Sequence, residues 1–365
     1  MGSREERAFE IIDSFAIESR VSALETWGAG HINDTFSVTT QNGEHYCLQC
    51  VNQHVFHDVP STMENIERVT SHIRKKVLAR GGDVEREVLT LVSTKDDKHY
   101  VVDEDGDFWR VYNFVKKAHV FDVFEDPAVI EGAAKAFGQF QNDLADLEGA
   151  RLHETIPAFH NTPKRYQDFL EAIERDEVGR IGNVVAEIEF IRRRANEMST
   201  IVDGMRLGEI PERVTHNDTK MNNVLFDEDT NECLCVIDLD TVMPGSSLYD
   251  FGDAVRFGAS TAAEDEVDLS RVSLSLERFE LLAKGYLSVA SAFLVPAERE
   301  LLSFSCRLIT LECGMRFLTD HINGDKYFKT RREGHNLDRC RTQLRMVSDM
   351  EVKRDAMESI VAKYL

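Results

Sequence analysis

Positive charge is scarce in this chain, with 43 Lys and Arg against 65 Asp and Glu among 365 residues, a formal net charge of −22. Such acidity repels nucleic acid and anionic membrane, so neither is an expected partner. Also missing is any apolar run long enough to span a bilayer, and Met1-Gly2-Ser3-Arg4-Glu5-Glu6-Arg7 leads into no signal-type apolar core. A cytoplasmic protein is expected, acting as a monomer. Cysteine is too sparse and scattered for a disulfide framework: Cys47, Cys50, Cys233, Cys235, Cys306, Cys313 and Cys340 are an odd set that fits reduced thiols. Cys47-x-x-Cys50 lies within the strand-like Tyr46–Val51 and has no second pair at zinc spacing, so it reads as core thiols. His54-x-x-His57 is equally isolated and reads as surface histidine.

What remains is an ordinary globular composition, 42% hydrophobic and 30% charged, on a chain long enough for two lobes. An amphipathic helix is expected over 8–19, then strands at Val21–Leu24 and Thr35–Thr39 and a third strand beyond the Asn42-Gly43 turn. A helix over 61–79 with Ser61 as N-cap follows, with Glu64 or Glu67 able to face a cleft. Glu87–Val92 and Phe108–Val115 read as strands, the second running into Lys116-Lys117-Ala118. From Pro127 the pattern is helical, with helices near 164–174, 184–203, 277–292 and 298–323. The expected fold is therefore α+β and bilobal: a small antiparallel β lobe at 1–115 for nucleotide binding, and a larger, mainly helical lobe at 116–365 for catalysis.

The chemistry concentrates in Val214-Thr215-His216-Asn217-Asp218-Thr219-Lys220-Met221-Asn222-Asn223. His216-x-Asp218-x-x-x-x-Asn223 has the catalytic-loop pattern of kinase-type phosphotransferases, in which the Asp accepts the acceptor's hydroxyl proton and the Asn binds metal. Asp and Asn in a turn also serve simply as helix caps. Here the pattern is joined by Asp238, at the end of the apolar run Cys233-Leu234-Cys235-Val236-Ile237, where a second metal ligand is needed; Asp240 stands in reserve. Magnesium suits this donor set, since it takes few protein oxygens and completes its shell with water and phosphate. Asp250-Phe251-Gly252 spells the metal-binding triplet of protein kinases, but no apolar strand leads into it. A bracing role beneath the catalytic loop is assigned to Asp250 instead.

No G-x-x-x-x-G-K-[ST] loop occurs; Gly28-x-Gly30, before the first hairpin, is the candidate phosphate cover. The lysine that a kinase-type strand would carry is also missing, because the expected strand reads Leu48-Gln49-Cys50. Lys220, two positions after Asp218, is then the candidate for the γ-phosphate. In the long helix near 298–323, Glu312, Arg316, Thr319, Asp320 and Asn323 recur at three-to-four spacing beside apolar residues. They form either an exposed i,i+4 pair worth a few tenths of a kcal/mol or a polar pocket.

These strings resemble the aminoglycoside-phosphotransferase-like kinases, and more closely the bacterial N-acetylhexosamine 1-kinases. The likeness runs through Gly28–Asn33, Arg110-Val111-Tyr112, Val214–Lys220, Ile237–Thr241, Met243-Pro244-Gly245, Asp250–Asp253, Arg256–Thr261 and Glu312–Leu318. The resemblance implies magnesium-dependent phosphorylation by ATP of the anomeric hydroxyl of GlcNAc or GalNAc. It implies Asp218 at O1; Asn223 and Asp238 on magnesium; Gly28, Gly30, His31 and Asn33 near the phosphates; and Phe114 to Lys116 against adenine. Thr241, Arg316 and Tyr327 are the candidate sugar contacts. The alternatives are a kinase of another small alcohol, of choline, homoserine or aminoglycoside type, and a kinase fold without activity used as a binding module.

Overall fold

The computed structural model describes residues 4–27, 32–121 and 124–365, which form two compact units. The first comprises Met1–His119, Asp146–Pro157 and Leu225–Met243. It opens with α1 (Arg4–Ile11), which tightens into a 3-10 turn and ends at Ser14. The helix expected over 8–19 is thus cut short. Phe15 turns extended, at φ −87° and ψ 156°, and bridges to Thr94. Burying Ala8, Ile11, Ile12 and Phe15 against the sheet outweighs helical continuation.

The sheet is antiparallel in the order β1-β2-β3-β5-β4, with β1 Val21–Thr26, β2 Asp34–Thr40, β3 His45–Cys50, β4 Val101–Val102 and β5 Phe108–Asn113. Phe36, Val38, Leu48, Cys50, Trp109 and Val111 form one face and pack on α1. Side chains alternate along a strand, so the register Gln49↔Arg110 beside Leu48↔Val111 places Gln49 and Arg110 together on the opposite face. Helix α2 (Val59–Ala79) buries Val59, Met63, Ile66, Val69, Ile73 and Val77 at helical spacing. Its cap is Asp58, not Ser61: the Asp58 carboxylate accepts from the Ser61 amide at 3.2 Å, and Pro60 sits in the first turn where no N–H is needed. Glu64 and Glu67 are largely exposed and pair with His153 and His99. No strand forms over Glu87–Val92; a turn closed by Asp83 and Glu87 stands there, and only Leu91 bridges to Tyr112.

The second unit comprises Val120–Ala145, Ala158–Val224 and Pro244–Leu365 and is mainly helical. It contains α3 Pro127–Leu144, α4 Thr162–Arg175, α5 Val185–Arg192, α6 Thr200–Arg206, α7 Ser247–Gly258, α8 Leu276–Ala290, α9 Pro296–Ile322, α10 His335–Val352 and α11 Arg354–Tyr364. Helix α9 is its axis, buried on all sides from Leu308 to Glu312 and packed by α4, α7 and α10. The single helix expected over 184–203 is broken into α5 and α6. Arg194 donates back to the Phe190 carbonyl and is clamped by Glu351 of α10, so a tertiary ion pair ends the helix where charge patterning alone would continue it. Close approach of α7 to α9 depends on Gly252, where an added Cβ would lie 2.8 Å from the Ser305 carbonyl oxygen. Among the described residues no helix is long and apolar enough to cross a membrane.

Candidate functional site

The candidate catalytic loop belongs to the second unit, where the strand Arg213–Thr215 delivers fully buried Thr215 and His216. Asn217 adopts a left-handed conformation at φ 64°, which Asn tolerates better than most residues. Asp250, in the first turn of α7, accepts from the amides of His216 (2.9 Å) and Asn217 (2.7 Å) and from Gln141 of α3 (2.6 Å). The Thr219 hydroxyl returns to the Asp250 carbonyl at 2.6 Å. Asp250 therefore braces the loop from below, the position expected of it, and Asp250-Phe251-Gly252 lies inside a helix. Burial pushes the Asp250 carboxyl above the ordinary Asp range, while His216 and the three N–H donors oppose that rise.

A second brace was not legible from the chain. His160 sits between two acceptors, with Nδ1 2.9 Å from Glu312 Oε1 and Nε2 3.0 Å from the Asn217 carbonyl. Thr162 donates to the other Glu312 oxygen at 2.5 Å. Burial raises the Glu312 carboxyl, but bonds from His160 and Thr162 outweigh it and hold it below the usual Glu range. The core helix α9 is thereby tied to the residue before Asp218.

Asp218 keeps 22% of its side chain exposed and Lys220 34%, so both remain reachable. Lys220 Nζ lies 3.0 and 3.2 Å from the two Asp218 oxygens. Asn223 Nδ2 donates to the Asp218 carbonyl at 2.9 Å and to its carboxylate at 3.3 Å. Burial alone would raise Asp218; the charges of Lys220, His216 and Arg256 overcome it and hold the carboxyl below the ordinary value of 3.8. Lys220 is raised in turn, chiefly by Asp218. The arrangement favours the ionised carboxylate beside a cation. Arg256, whose place in the site no spacing announced, is pinned by Asp253 at 2.7 Å and Glu264 at 2.9 Å.

Two of the three candidate sugar contacts also fall in this unit. The Arg316 guanidinium lies over the Phe159 and Phe328 rings at 4.9 and 5.6 Å, and Tyr327 meets Phe328 edge-on at 4.8 Å. Tyr327 is exposed. The exposed i,i+4 pair of Glu312 with Arg316 is replaced: Glu312 bonds to His160 and Thr162, leaving Arg316 among aromatic rings. Arg165 stands nearby, its pKa lowered by burial and by the Arg316 charge.

The remaining candidates belong to the first unit. Asp238 follows the strand Cys233–Val236 in a left-handed turn at φ 62° and opens the 3-10 turn Leu239–Thr241. Thr241 is buried in that turn. Asp240, the candidate reserve metal ligand, is engaged at both oxygens: Arg110 Nη1 holds Oδ1, while Oδ2 accepts from Arg110 Nη2 at 2.9 Å and Asn33 Nδ2 at 2.6 Å. Asn33 is spent on both sides, since its Oδ1 accepts from the Asn52 amide at 3.0 Å. The Phe114 ring meets Trp27 at 5.9 Å and His45 at 6.1 Å. Lys116 is exposed, and its carbonyl accepts from Arg86 at 3.1 Å. Gly28, Gly30 and His31 lie outside the described residues.

Among the described residues no group of three or more His, Cys, Asp or Glu is poised to hold a metal. The donor set under consideration is smaller and fits magnesium on chemical grounds, being an amide and a carboxylate oxygen. The Asn223 amide nitrogen is committed to Asp218, which leaves Oδ1 as the free donor type for a hard cation.

Residues 24–278 match the phosphotransferase enzyme family. Among solved structures the chain is similar to a microcompartment-associated aminopropanol kinase, at 16% identity over 97% of this chain and 98% of that one, with a TM-score of 0.57. It is similar to an aminoglycoside phosphotransferase from Alicyclobacillus acidocaldarius subsp. acidocaldarius, at 12% identity over 97% and 95%, with a TM-score of 0.59. It is also similar to an amicoumacin kinase in complex with AMP-PNP, Ca2+ and Ami, at 12% over 94% and 93%, with a TM-score of 0.60. At such identities the likeness establishes a shared fold, the antiparallel sheet lobe with a helical lobe.

Proposed function

Since the chain belongs to the phosphotransferase enzyme family, we propose that it transfers the γ-phosphoryl group of ATP to the anomeric hydroxyl of an N-acetylhexosamine, GlcNAc or GalNAc, releasing the sugar 1-phosphate. The observation that carries this reading is the state of Asp218: reachable, held ionised by Lys220, and fixed in place by Asp250 and His160 acting on the residues before it. An anomeric hydroxyl is more acidic than an ordinary alcohol, so even a carboxylate held below the ordinary Asp range serves. Asp218 orients the hydroxyl and accepts its proton as the O–P bond forms and the bond to the ADP leaving oxygen breaks. Lys220 is assigned to the γ-phosphate, leaving the carboxylate when the nucleotide arrives.

Magnesium, for which Asn223 and Asp238 are the proposed ligands, would neutralise charge on the phosphoryl oxygens. Phe114 to Lys116 are assigned to adenine, and Gly28, Gly30, His31 and Asn33 to the phosphate end of the nucleotide. With its side chain engaged by Asp240 and Asn52, Asn33 would serve through its backbone or by positioning. Thr241, Arg316 and Tyr327 are assigned to the sugar, where Arg316 suits an acetamido carbonyl and Tyr327 a hydroxyl or ring face.

A kinase of another small alcohol, of choline, homoserine or aminoglycoside type, is the second reading, and the net charge of −22 is compatible with a cationic acceptor. Arg316 and Arg165 oppose it locally, since a choline or aminoglycoside acceptor calls for carboxylates or an unoccupied aromatic cage. Incubation with ATP, Mg2+ and GlcNAc, followed by phosphorus NMR of the product, tests both activity and the position phosphorylated. ADP release across a panel of sugars, choline, homoserine and aminoglycosides decides the acceptor class. ATP binding without turnover on any of them would leave only the binding-module reading.

A further inference from the structure

Gln49 occupies the strand position where a kinase-type lysine is expected, yet the same sheet face still carries a buried cation. It comes from the neighbouring strand: Arg110, the register partner of Gln49, donates Nε and Nη2 to Gln49 Oε1 at 3.0 and 2.8 Å and grips Asp240 through both terminal nitrogens. Both charged side chains are almost completely buried, at 1% and 2% exposure. Arg110 therefore cannot reach a nucleotide phosphate as a lysine would. Its ion pair must act through what Asp240 is attached to.

Asp240 lies in the 3-10 turn that begins directly after Asp238. That turn is held at its middle residue, by Arg110 and Asn33 on Asp240, and just past its end, by Asn65 Nδ2 on the Val242 carbonyl at 3.0 Å. We propose that Arg110 and Asp240 are positioning residues that set the Asp238 carboxylate for its metal, taking over through a buried arginine the organising part of the missing strand lysine. This rests on the reading of Asp238 as a magnesium ligand. The physical case is one of cost: burying two charges seldom adds stability beyond what an apolar pair of similar volume would give, although removing one partner is severe. A pair with so little net stability to offer, placed two residues from a candidate ligand and bonded at every strong donor, is explained by the geometry it enforces. Burial opposes the charge on Arg110, but Asp240 prevails and raises its pKa.

The test compares ATP affinity with Mg2+ and with EDTA, by calorimetry, in the wild type and in R110M, D240L and R110M/D240L. Wild type should gain affinity from Mg2+, and Asp238→Asn should abolish that gain. The double variant should melt higher than either single variant because no lone charge is left buried, and still lose at least tenfold of the Mg2+-dependent gain with little change in EDTA. A folded double variant with the full gain would overturn the proposal, as would a wild type whose ATP affinity ignores Mg2+. Should the apolar pair fail to fold, Asp240→Asn, which keeps the shape, must show the same selective loss; retention of the full gain overturns the proposal equally. None of these readouts uses an acceptor. A wild type with a clear Mg2+ gain but no sugar turnover would refute the proposed substrate and leave the positioning pair standing.

Discussion

At the scale of single residues, Asp218 and Lys220 form one ion-paired unit. Asp218→Asn removes the proposed base without changing size, and kcat should fall by about 10²–10⁴-fold with melting temperature nearly unchanged. Lys220→Ala should lower kcat more than it weakens sugar binding; unchanged turnover at saturating ATP would remove Lys220 from the phosphate. The same substitution makes a pH prediction. As the proposed base Asp218 works when ionised, and its pKa is depressed below 3.8, so wild-type activity should be lost only as pH falls through that depressed value. Without the Lys220 charge the depression is relieved, and the acid limb of kcat/KM should move to higher pH. An acid limb at the wild-type position would separate the two groups.

At the scale of elements, helix placement governs the loop. Gly252→Ala would drive a methyl group against the Ser305 backbone, and α7 must shift from α9 because a carbonyl cannot rotate away as a side chain can. A loss of ~1–3 kcal/mol is expected from overpacking, read by chemical denaturation. Since Asp250 lies on the same helix, kcat should fall with it. Glu312 gives a pH-dependent counterpart. Its folded pKa is depressed, so it contributes stability above the ordinary Glu value of 4.5 that disappears as pH falls through the folded pKa. Glu312→Gln should therefore flatten the acid arm of the stability profile; an unchanged arm would show that the His160 and Thr162 bonds carry no net energy.

At the scale of the whole molecule, the proposed reaction requires the chain to gather a polyanionic nucleotide despite its net charge of −22. Nucleotide with metal should bind the folded state only, and at a hundred times Kd linkage gives about 2.7 kcal/mol of stabilisation. The melting temperature should rise with ATP and Mg2+ and much less with ATP and EDTA; equal shifts would argue against metal-assisted binding.

How far these features were legible depends on the range of the interactions behind them. Strand alternation, the Asn42-Gly43 turn, the long α9 and the spacing from His216 to Asn223 are local patterns, and the structure repeats them. The end of α1 and the break between α5 and α6 differ from the sequence expectation because each is decided by a partner or a surface outside the window, whereas the cap of α2 is local and differs because Asp58 takes the role three residues before Ser61. The same holds for the site. Arg110 meets Asp240 across 130 positions, and His160 meets Glu312 across 152, so no spacing rule pairs them. By itself the sequence determined the chemical inventory, because a base, an amide and a carboxylate at short spacing are dictated by what phosphoryl transfer requires. Only the tertiary structure decided which charges hold which, because burial makes an unpaired charge intolerable and the partner that satisfies it is chosen by the fold.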